Sequence, residues 1–475
     1  MTPDEFRTAG HELIDWIADY RSKLSEGPVR AQVEPGAVRA QFPSAPPSTP
    51  EGIEAMLAQL DTRVVPGLTQ VQHPMHFGWF PSNASLASVL GDIASSGIGS
   101  LGISWESCPA LTEVEEVTCE WMRQLTGLSE AWHGAIHDTA SSAMMVAAMV
   151  AREKASDFSK LTGGLQGVDN PLVVYTTEQA HSSVAKAVQM AGFGDENLRL
   201  VACDPTHHTM DPKALAEAIK TDRDAGRTPA LVVASSGSTG VTAFDPVDAI
   251  AAITEDQGIW LHVDAAMAGS AMLLPECRHL WHGVERADSV AWNPHKWFGT
   301  LLDCALFYVR DPDLLVRVLS TNPSYLQSAA DGQVTQYRDW GIPLGRRFRA
   351  LKLWFHLALD GVESIQARLR RDLDNARWLA NQVADHPEWE LVAPLTLQTV
   401  SVRHRGAAGA LSDDELDAHT LKWVGAINAS GAAFLSPAQI DGRWYVRVSI
   451  GVEGTEREHV EALWALLQDA SATAR

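Results

Sequence analysis

The sequence is short of paired cysteines, of positive charge and of long apolar runs, and each shortage removes a class of function. Its five cysteines (Cys108, Cys119, Cys203, Cys277, Cys304) are widely spaced, with no Cys-x-x-Cys and no His/Cys cluster at ligand spacing. That excludes a disulfide framework, and neither the cysteines nor His73 and His76 make a recognised ligand set, so no metal is expected. Lys+Arg number 37 against 59 Asp+Glu, a formal charge of -22. This balance disfavours nucleic acid and anionic membrane as partners, and an anionic ligand has to be held by local groups. No apolar stretch approaches the roughly 20 residues that cross a bilayer. The first residues, with Asp4, Glu5 and Arg7, lack the basic-then-apolar pattern of an export signal, so a cytoplasmic location is expected.

What the chain does have is 45% apolar residues over 475 positions, enough for about two to three domains. Thr2-Pro3-Asp4-Glu5 reads as a helix start, with Thr2 as N-cap and Glu5 closing a capping box. Phe6, Leu13, Trp16, Ile17 and Tyr20 then recur on one face, and a proline-rich stretch leads to a second apolar helix around 53–60. Such an arm has too few neighbours to bury its own stripe, and a partner subunit is the expected cover. From about residue 86, apolar β-rich runs (172–176, 198–203, 230–234, 259–263, 289–292, 304–309) alternate with helical patterns. This is the rhythm of an α/β domain with a largely parallel sheet. A helix is expected over 346–359, strands near 397–402 and 444–450, and a last helix capped by Thr455 with Glu458. The expected division is an N-terminal helical arm (1–85), a large domain (86–353) and a small C-terminal α+β domain (354–475).

One lysine, Lys296, lies in the mostly apolar run 289–297 near Trp292 and Trp297, and Asp264 closes the apolar strand that begins at Ile259. Desolvating an ammonium is costly, so a lysine in such surroundings tends to lose its proton and become a nucleophile for aldehydes. Pyridoxal 5'-phosphate (PLP) is the aldehyde cofactor that a lysine holds as a Schiff base, and it asks for a carboxylate beside its ring nitrogen. Four segments surround this pair. Asp138-Thr139-Ala140-Ser141-Ser142 puts small hydroxyl residues at the start of an apolar helix, either an ordinary cap or a phosphate cup of backbone N–H groups. In Gln179-Ala180-His181-Ser182-Ser183 a histidine follows a strand end, either as a surface residue or stacked on a pyridine ring. Ser235 to Thr239 is a hydroxyl-rich turn, and Tyr325 lies in a small, polar loop segment.

Dense strings join these residues: Val33-Glu34-Pro35-Gly36, His73-Pro74, Phe80-Pro81, Ser104-Trp105, His262-Val263-Asp264-Ala265-Ala266, Asn293-Pro294-His295-Lys296-Trp297 and Ile342-Pro343-Leu344-Gly345-Arg346-Arg347-Phe348-Arg349. Over nearly its whole length the chain resembles group II PLP-dependent decarboxylases, most closely the aromatic-L-amino-acid decarboxylases. The resemblance implies PLP-dependent fold type I, aspartate aminotransferase-like, with a mostly parallel seven-stranded central sheet and a homodimer with shared active sites. It further implies cofactor attachment at Lys296 and a ring-nitrogen partner in Asp264. Two unit charges about 4 Å apart interact by roughly 4 kcal/mol at an effective dielectric of about 20, or about three pKa units, enough to keep that nitrogen protonated. Thr139, Ala140, Ser141 and Asn293 match the phosphate contacts, His181 the ring-stacking histidine and Thr239 a cofactor-side threonine. Tyr325 takes the place of the loop tyrosine that delivers a proton to Cα, and His295 is placed to orient substrate or carry a proton. Asp138 departs from the family's glycine.

For the substrate, Trp79, Phe80 and Pro81, with Ser82 beside them, match an aromatic wall, and Leu101 and Ile103 match residues given by the other subunit. Val71 and Ile103 stand where the animal enzymes have tryptophan and phenylalanine, and Gly345 matches relatives that admit an indole. The expected reaction is decarboxylation of an aromatic L-amino acid to its amine, with tryptophan or 5-hydroxytryptophan favoured over DOPA, tyrosine and phenylalanine. An aldehyde synthase on the same scaffold and a non-catalytic PLP-binding homologue are the alternatives. Related aldehyde synthases change the loop tyrosine or the stacking histidine, and both are present here.

Overall fold

Runs such as Leu172–Thr176 and Thr228–Ser235, buried almost throughout, have no polar face to offer water, so they belong in a sheet covered on both sides. The computed structural model describes residues 1–321, 323–327, 329–406 and 411–474, without the side chain of Tyr325. It divides into one unit made of Met1–Pro81, Asp374–Val392 and Val400–Arg475 and another made of Ser82–Leu373 and Ala393–Thr399.

The second unit holds a sheet of seven strands: β1 (His133–His137), β2 (Leu172–Thr176), β3 (Leu198–Leu200), β4 (Thr228–Ser235), β5 (Trp260–Asp264), β6 (Ser289–Trp292) and β7 (Ala305–Val309). Their order is β1-β7-β6-β5-β4-β2-β3. Every pairing from β6 to β3 is parallel, whereas β7 runs antiparallel to both β6 and β1. The fold is thus α/β with a mostly parallel sheet, as expected from the alternating pattern. The helix Ala140–Ala155 packs against β4, β5, β6 and β7. Its buried Ala143, Ala147, Ala148 and Ala151 give it a thin face, so that Met144, Val146 and Val150 reach the core.

Local outcomes differ from expectation where backbone hydrogen bonds go elsewhere. The helix expected over 346–359 starts at Ala350, because Arg346 exchanges both backbone bonds with Gly102 and is extended. The strand expected over 198–203 ends at Leu200, and Cys203 instead bridges Met210. Strand β1 and the long helix Val362–Asp385 were not anticipated.

The first unit carries a four-stranded sheet of β8 (Trp389–Leu391), β9 (Thr399–His404), β10 (Ser436–Ile440) and β11 (Arg443–Ser449), in the order β10-β11-β9-β8. Thr2 and Glu5 do form the N-terminal capping box, and the helix Pro3–Ser22 that follows buries none of its residues. The last helix is capped by Glu456 with His459 rather than by Thr455. The Thr455 hydroxyl donates to the Pro74 carbonyl at 2.8 Å and is taken by that bond. Of the glycine and alanine tract 406–410, only Gly406 is among the described residues. Among the described residues no helix is long and apolar enough to cross a membrane, and no group of three His, Cys, Asp or Glu is placed to hold a metal.

Burial sets the pH response. His76, His137, His262 and His295 are pushed down to about 4 and His356 to about 3, in each case chiefly by desolvation of the charged ring. The unfolded chain protonates these rings first as the pH drops below about 6.5, so their contribution to stability is lost between there and about 4. Buried Asp245 and Asp372 are raised to about 6. They act in the opposite sense, because the folded state takes up their protons first between about 6 and 4. Five histidines outweigh two carboxylates. The urea midpoint is expected to fall when the pH is lowered from 7 to 5, and a rising midpoint contradicts this balance.

Candidate active site

Six strands of the large sheet, β1 to β6, run in one sense and end on one edge. The segments singled out in the sequence follow those ends, where ligands collect in parallel sheets. Asp264 is the last residue of β5, level with Ser235 of β4 and Ala291 of β6. Its Oδ1 accepts the Ala266 N–H at 3.1 Å. Behind it, the Ser289 hydroxyl accepts from Trp260 Nε1 at 2.9 Å and meets His262 Nδ1 at 2.8 Å, which fixes the interior of the strand pair.

Lys296 lies in the short helical turn Pro294–Phe298 that follows β6, and the backbone leaves helical geometry at the lysine itself (φ -105°, ψ -118°). The turn is gripped from below by the helix Val362–Asp385. Arg368 Nη2 donates to the carbonyls of Trp297 and Phe298 at 2.9 and 2.5 Å, and Trp297 Nε1 donates to Asp372 Oδ2 at 2.9 Å. Gly299 ends the turn at φ +112°, where a Cβ would stand 3.1 Å from both Arg368 Nη2 and His356 Cε1. A side chain there would strain the backbone and press on the same clamp. His295 is buried, and its Nδ1 accepts the Cys304 N–H at 3.0 Å.

The helix Ala140–Ala155 begins beside this turn: Asn293 Oδ1 accepts the Ala140 N–H at 3.1 Å. Thr139 is the N-cap, its hydroxyl accepting from Ser142 N–H at 3.4 Å. Ser141 is exposed, and Asp138 and Thr139 are half-buried. His181, after β2, is exposed in the isolated chain, yet charges at two other strand ends reach it. Its pKa is lowered by partial desolvation, raised by Asp264 and lowered by Lys296. Thr239 sits half-buried in the turn after β4. The root of that turn is set by Asp245, whose carboxylate accepts the N–H groups of Met210 and Ser235 at 2.7 and 2.6 Å. In the same turn Gly237 (φ +84°) leaves no room for a Cβ, which would lie 2.5 Å from Ala268 Cβ.

Lys296, Asp264, His181, Asn293 and the helix start at Ala140 are therefore brought to one region of the second unit. Ser82, Leu101, Ile103 and Gly345 also belong to that unit, and Leu101 is 58% exposed. Val71, Trp79, Phe80 and Pro81 belong to the first unit. There Trp79 adopts φ +50°, a conformation that costs a bulky residue about 1–3 kcal/mol. Its N–H is held by Ser436 Oγ at 2.6 Å, and its ring packs on Phe434 at 4.8 Å. Arg447 stands over the Phe80 ring at 4.7 Å. The Tyr325 side chain lies outside the described residues. Sequence reasoning missed Arg368, Asp372, Asp245 and Ser183. Only Ser183 left a local signal, as a hydroxyl two residues after the histidine.

The donor set fits PLP: a lysine amine, a carboxylate on the neighbouring strand, an open imidazole, and a helix N-terminus able to receive phosphate without net positive charge. Comparison with known proteins agrees. The model of the pyridoxal-dependent decarboxylase conserved domain matches residues 35–405. A phenylacetaldehyde synthase of Arabidopsis thaliana is 38% identical over 99% of this chain and 96% of its own length. A tyrosine decarboxylase of Papaver somniferum is 36% identical over 99% of this chain and 95% of its own. The solved structure of Oryza sativa TDC with PLP and tryptamine superposes with a TM-score of 0.96 at 35% identity, covering 100% of this chain and 99% of that one. The chain therefore belongs to the pyridoxal-dependent decarboxylase family, among its aromatic amino acid decarboxylases and aldehyde synthases, and is a PLP-dependent carboxy-lyase.

Proposed function

We propose that this enzyme converts an aromatic L-amino acid to its amine and CO2, with tryptophan or 5-hydroxytryptophan favoured and DOPA, tyrosine and phenylalanine also candidates. The observation that carries the reading is the gathering of Lys296, Asp264 and His181 about one sheet edge, where His181 feels the charges of both others. Bound PLP supplies an electron sink for the pair released when the bond from Cα to the carboxylate breaks. Lys296 provides the amine that attaches the cofactor, and the Arg368 and Asp372 clamp keeps it in register. Asp264 holds the proton on the ring nitrogen. His181 covers one ring face and excludes water there. Thr139 and Ser141 receive the phosphate at the helix start, the Ala140 N–H expected to share that role donates to Asn293 and ties the start to the lysine turn, and Thr239 borders the cofactor. His295 orients substrate beside the lysine. Tyr325 delivers the proton to Cα, a step worth about 10²- to 10⁴-fold for a placed general acid.

By resemblance, Trp79, Phe80, Pro81, Ser82, Leu101, Ile103 and Val71 receive the aromatic ring, and Gly345 leaves space for an indole. A Cβ added at Gly345 meets nothing within 4 Å, so a side chain there would leave the fold of this chain undisturbed. A homodimer with shared sites is supported by two exposed apolar surfaces. In the second unit, the helix Leu86–Ile98 exposes Leu86, Leu90, Ile93 and Ile98. In the first, the helix Pro3–Ser22 leaves Phe6, Leu13 and Ile14 exposed. A cytoplasmic location is supported by the five free cysteines.

The second reading, an aldehyde synthase, is favoured by the similarity to the Arabidopsis thaliana phenylacetaldehyde synthase; the presence of both His181 and Tyr325 favours the amine. Incubation of the holoenzyme with a panel of aromatic amino acids, quantifying CO2, amine, aldehyde and peroxide, decides between them. CO2 and amine are expected in equal amounts, and stoichiometric aldehyde and peroxide would replace the reading. Tyr325→Phe is expected to keep CO2 release and divert product from amine to aldehyde; undiminished amine yield refutes the role of that loop. In Gly345→Ser the ratio of kcat/KM for tryptophan to that for tyrosine is expected to fall about tenfold or more with Tm unchanged. An unaltered ratio removes Gly345 from the pocket.

A further inference from the structure

Ser183 makes two contacts to one atom. Its backbone N–H donates to Nδ1 of His181 at 3.1 Å, and its hydroxyl stands 2.8 Å from the same nitrogen. A backbone N–H is only a donor, so Nδ1 must present its lone pair, and the hydroxyl then donates as well. Protonation at Nδ1 would set its hydrogen against the Ser183 N–H and force the hydroxyl to turn from donor to acceptor, so the fixed backbone donor confines the ring proton to Nε2 and disfavours the imidazolium, where both nitrogens carry protons. Ser183 is itself buried, at the first position of the helix Ser183–Met190, so its geometry is fixed by the fold. The charged groups acting on His181 are Asp264 at the end of β5 and Lys296 in the turn after β6.

The two charges oppose each other, and the outcome matters. Asp264 draws a proton towards His181. A cationic imidazole would compete for the carboxylate that the proposed function reserves for the cofactor's ring nitrogen. We propose that Ser183 is a positioning residue that holds His181 as the neutral Nε2–H tautomer, leaving Asp264 to the cofactor. This rests on the roles given above to Asp264 and His181. Removing the hydroxyl leaves the single backbone donor, and one hydrogen bond of ordinary strength corresponds to about one pKa unit.

The test is the pH dependence of PLP affinity, measured by absorbance and fluorescence titration of the full-length protein from pH 5.5 to 8.5 in wild type, Ser183→Ala and Ser183→Thr. Wild type is expected to hold affinity constant furthest into acid. In Ser183→Ala the acid limb is expected to move up by about one pH unit, and Ser183→Thr to restore it. In a His181→Phe background, which keeps a ring but no nitrogen, Ser183→Ala is expected to shift nothing. A coincident acid limb in wild type and Ser183→Ala overturns the proposal, as does an equal shift in the His181→Phe background, which would mark a packing defect. Cofactor affinity is read without substrate. Failure of the aromatic panel would therefore sink the substrate class and leave this titration standing.

Discussion

The roles proposed for Lys296 and Asp264 need a lysine amine and a carboxylate close together, and adjacent parallel strands are what allow it. Neighbouring strands lie about 4.8 Å apart, and β5 and β6 run in the same sense with Asp264 level with Ala291. Asp264 ends one strand and Lys296 follows the end of the next, so a shift of one residue in this register would turn the carboxylate to the other face of the sheet. The rest of the second unit keeps that pairing still. The helix Ala140–Ala155 presses on the strands from one side, while Arg368 and Asp372 hold the lysine turn from the helix Val362–Asp385.

The electrostatics are local. A chain of net charge -22 offers an anionic cofactor little long-range attraction, so the phosphate has to be received by backbone N–H groups at a helix start and by hydroxyls. Two buried carboxylates near the site are committed to fixed donors: Asp245 takes two backbone N–H groups at the root of the Thr239 turn, and burial raises it to about 6. Asp372 is buried in the same way against Trp297 and is raised to about 6. Neutral interior histidines complete the pattern, since each ring given a fixed acceptor nitrogen is also given a fixed donor nitrogen.

Much of this was legible in the chain itself. Continuous apolar runs announced the buried parallel strands, and the strings around Asp264 and Lys296 named the chemistry, because those residue types have few other reasons to stand among apolar neighbours. The N-terminal capping box was legible for the same reason: Thr2 and Glu5 interact over three residues. What escaped depended on partners distant in sequence. Strand β1 pairs with β7 from the far end of the unit. Arg346 looks helical until Gly102 takes both of its backbone groups. Arg368 and Asp372, spaced as an ordinary surface ion pair, acquire meaning only when the lysine turn is seen lying against them. Thr455, expected as the last cap, has its hydroxyl taken by the distant Pro74 carbonyl, and Glu456 caps the helix instead.

The amine beside Asp264 is proposed to carry the cofactor. Reduction of the PLP-loaded protein with borohydride, followed by proteolysis and mass spectrometry, tests it directly. One pyridoxyl group per chain is expected, on the peptide containing Lys296, and none in Lys296→Ala. A label on any other lysine, or a protein that binds PLP but yields no reduced adduct, would contradict it.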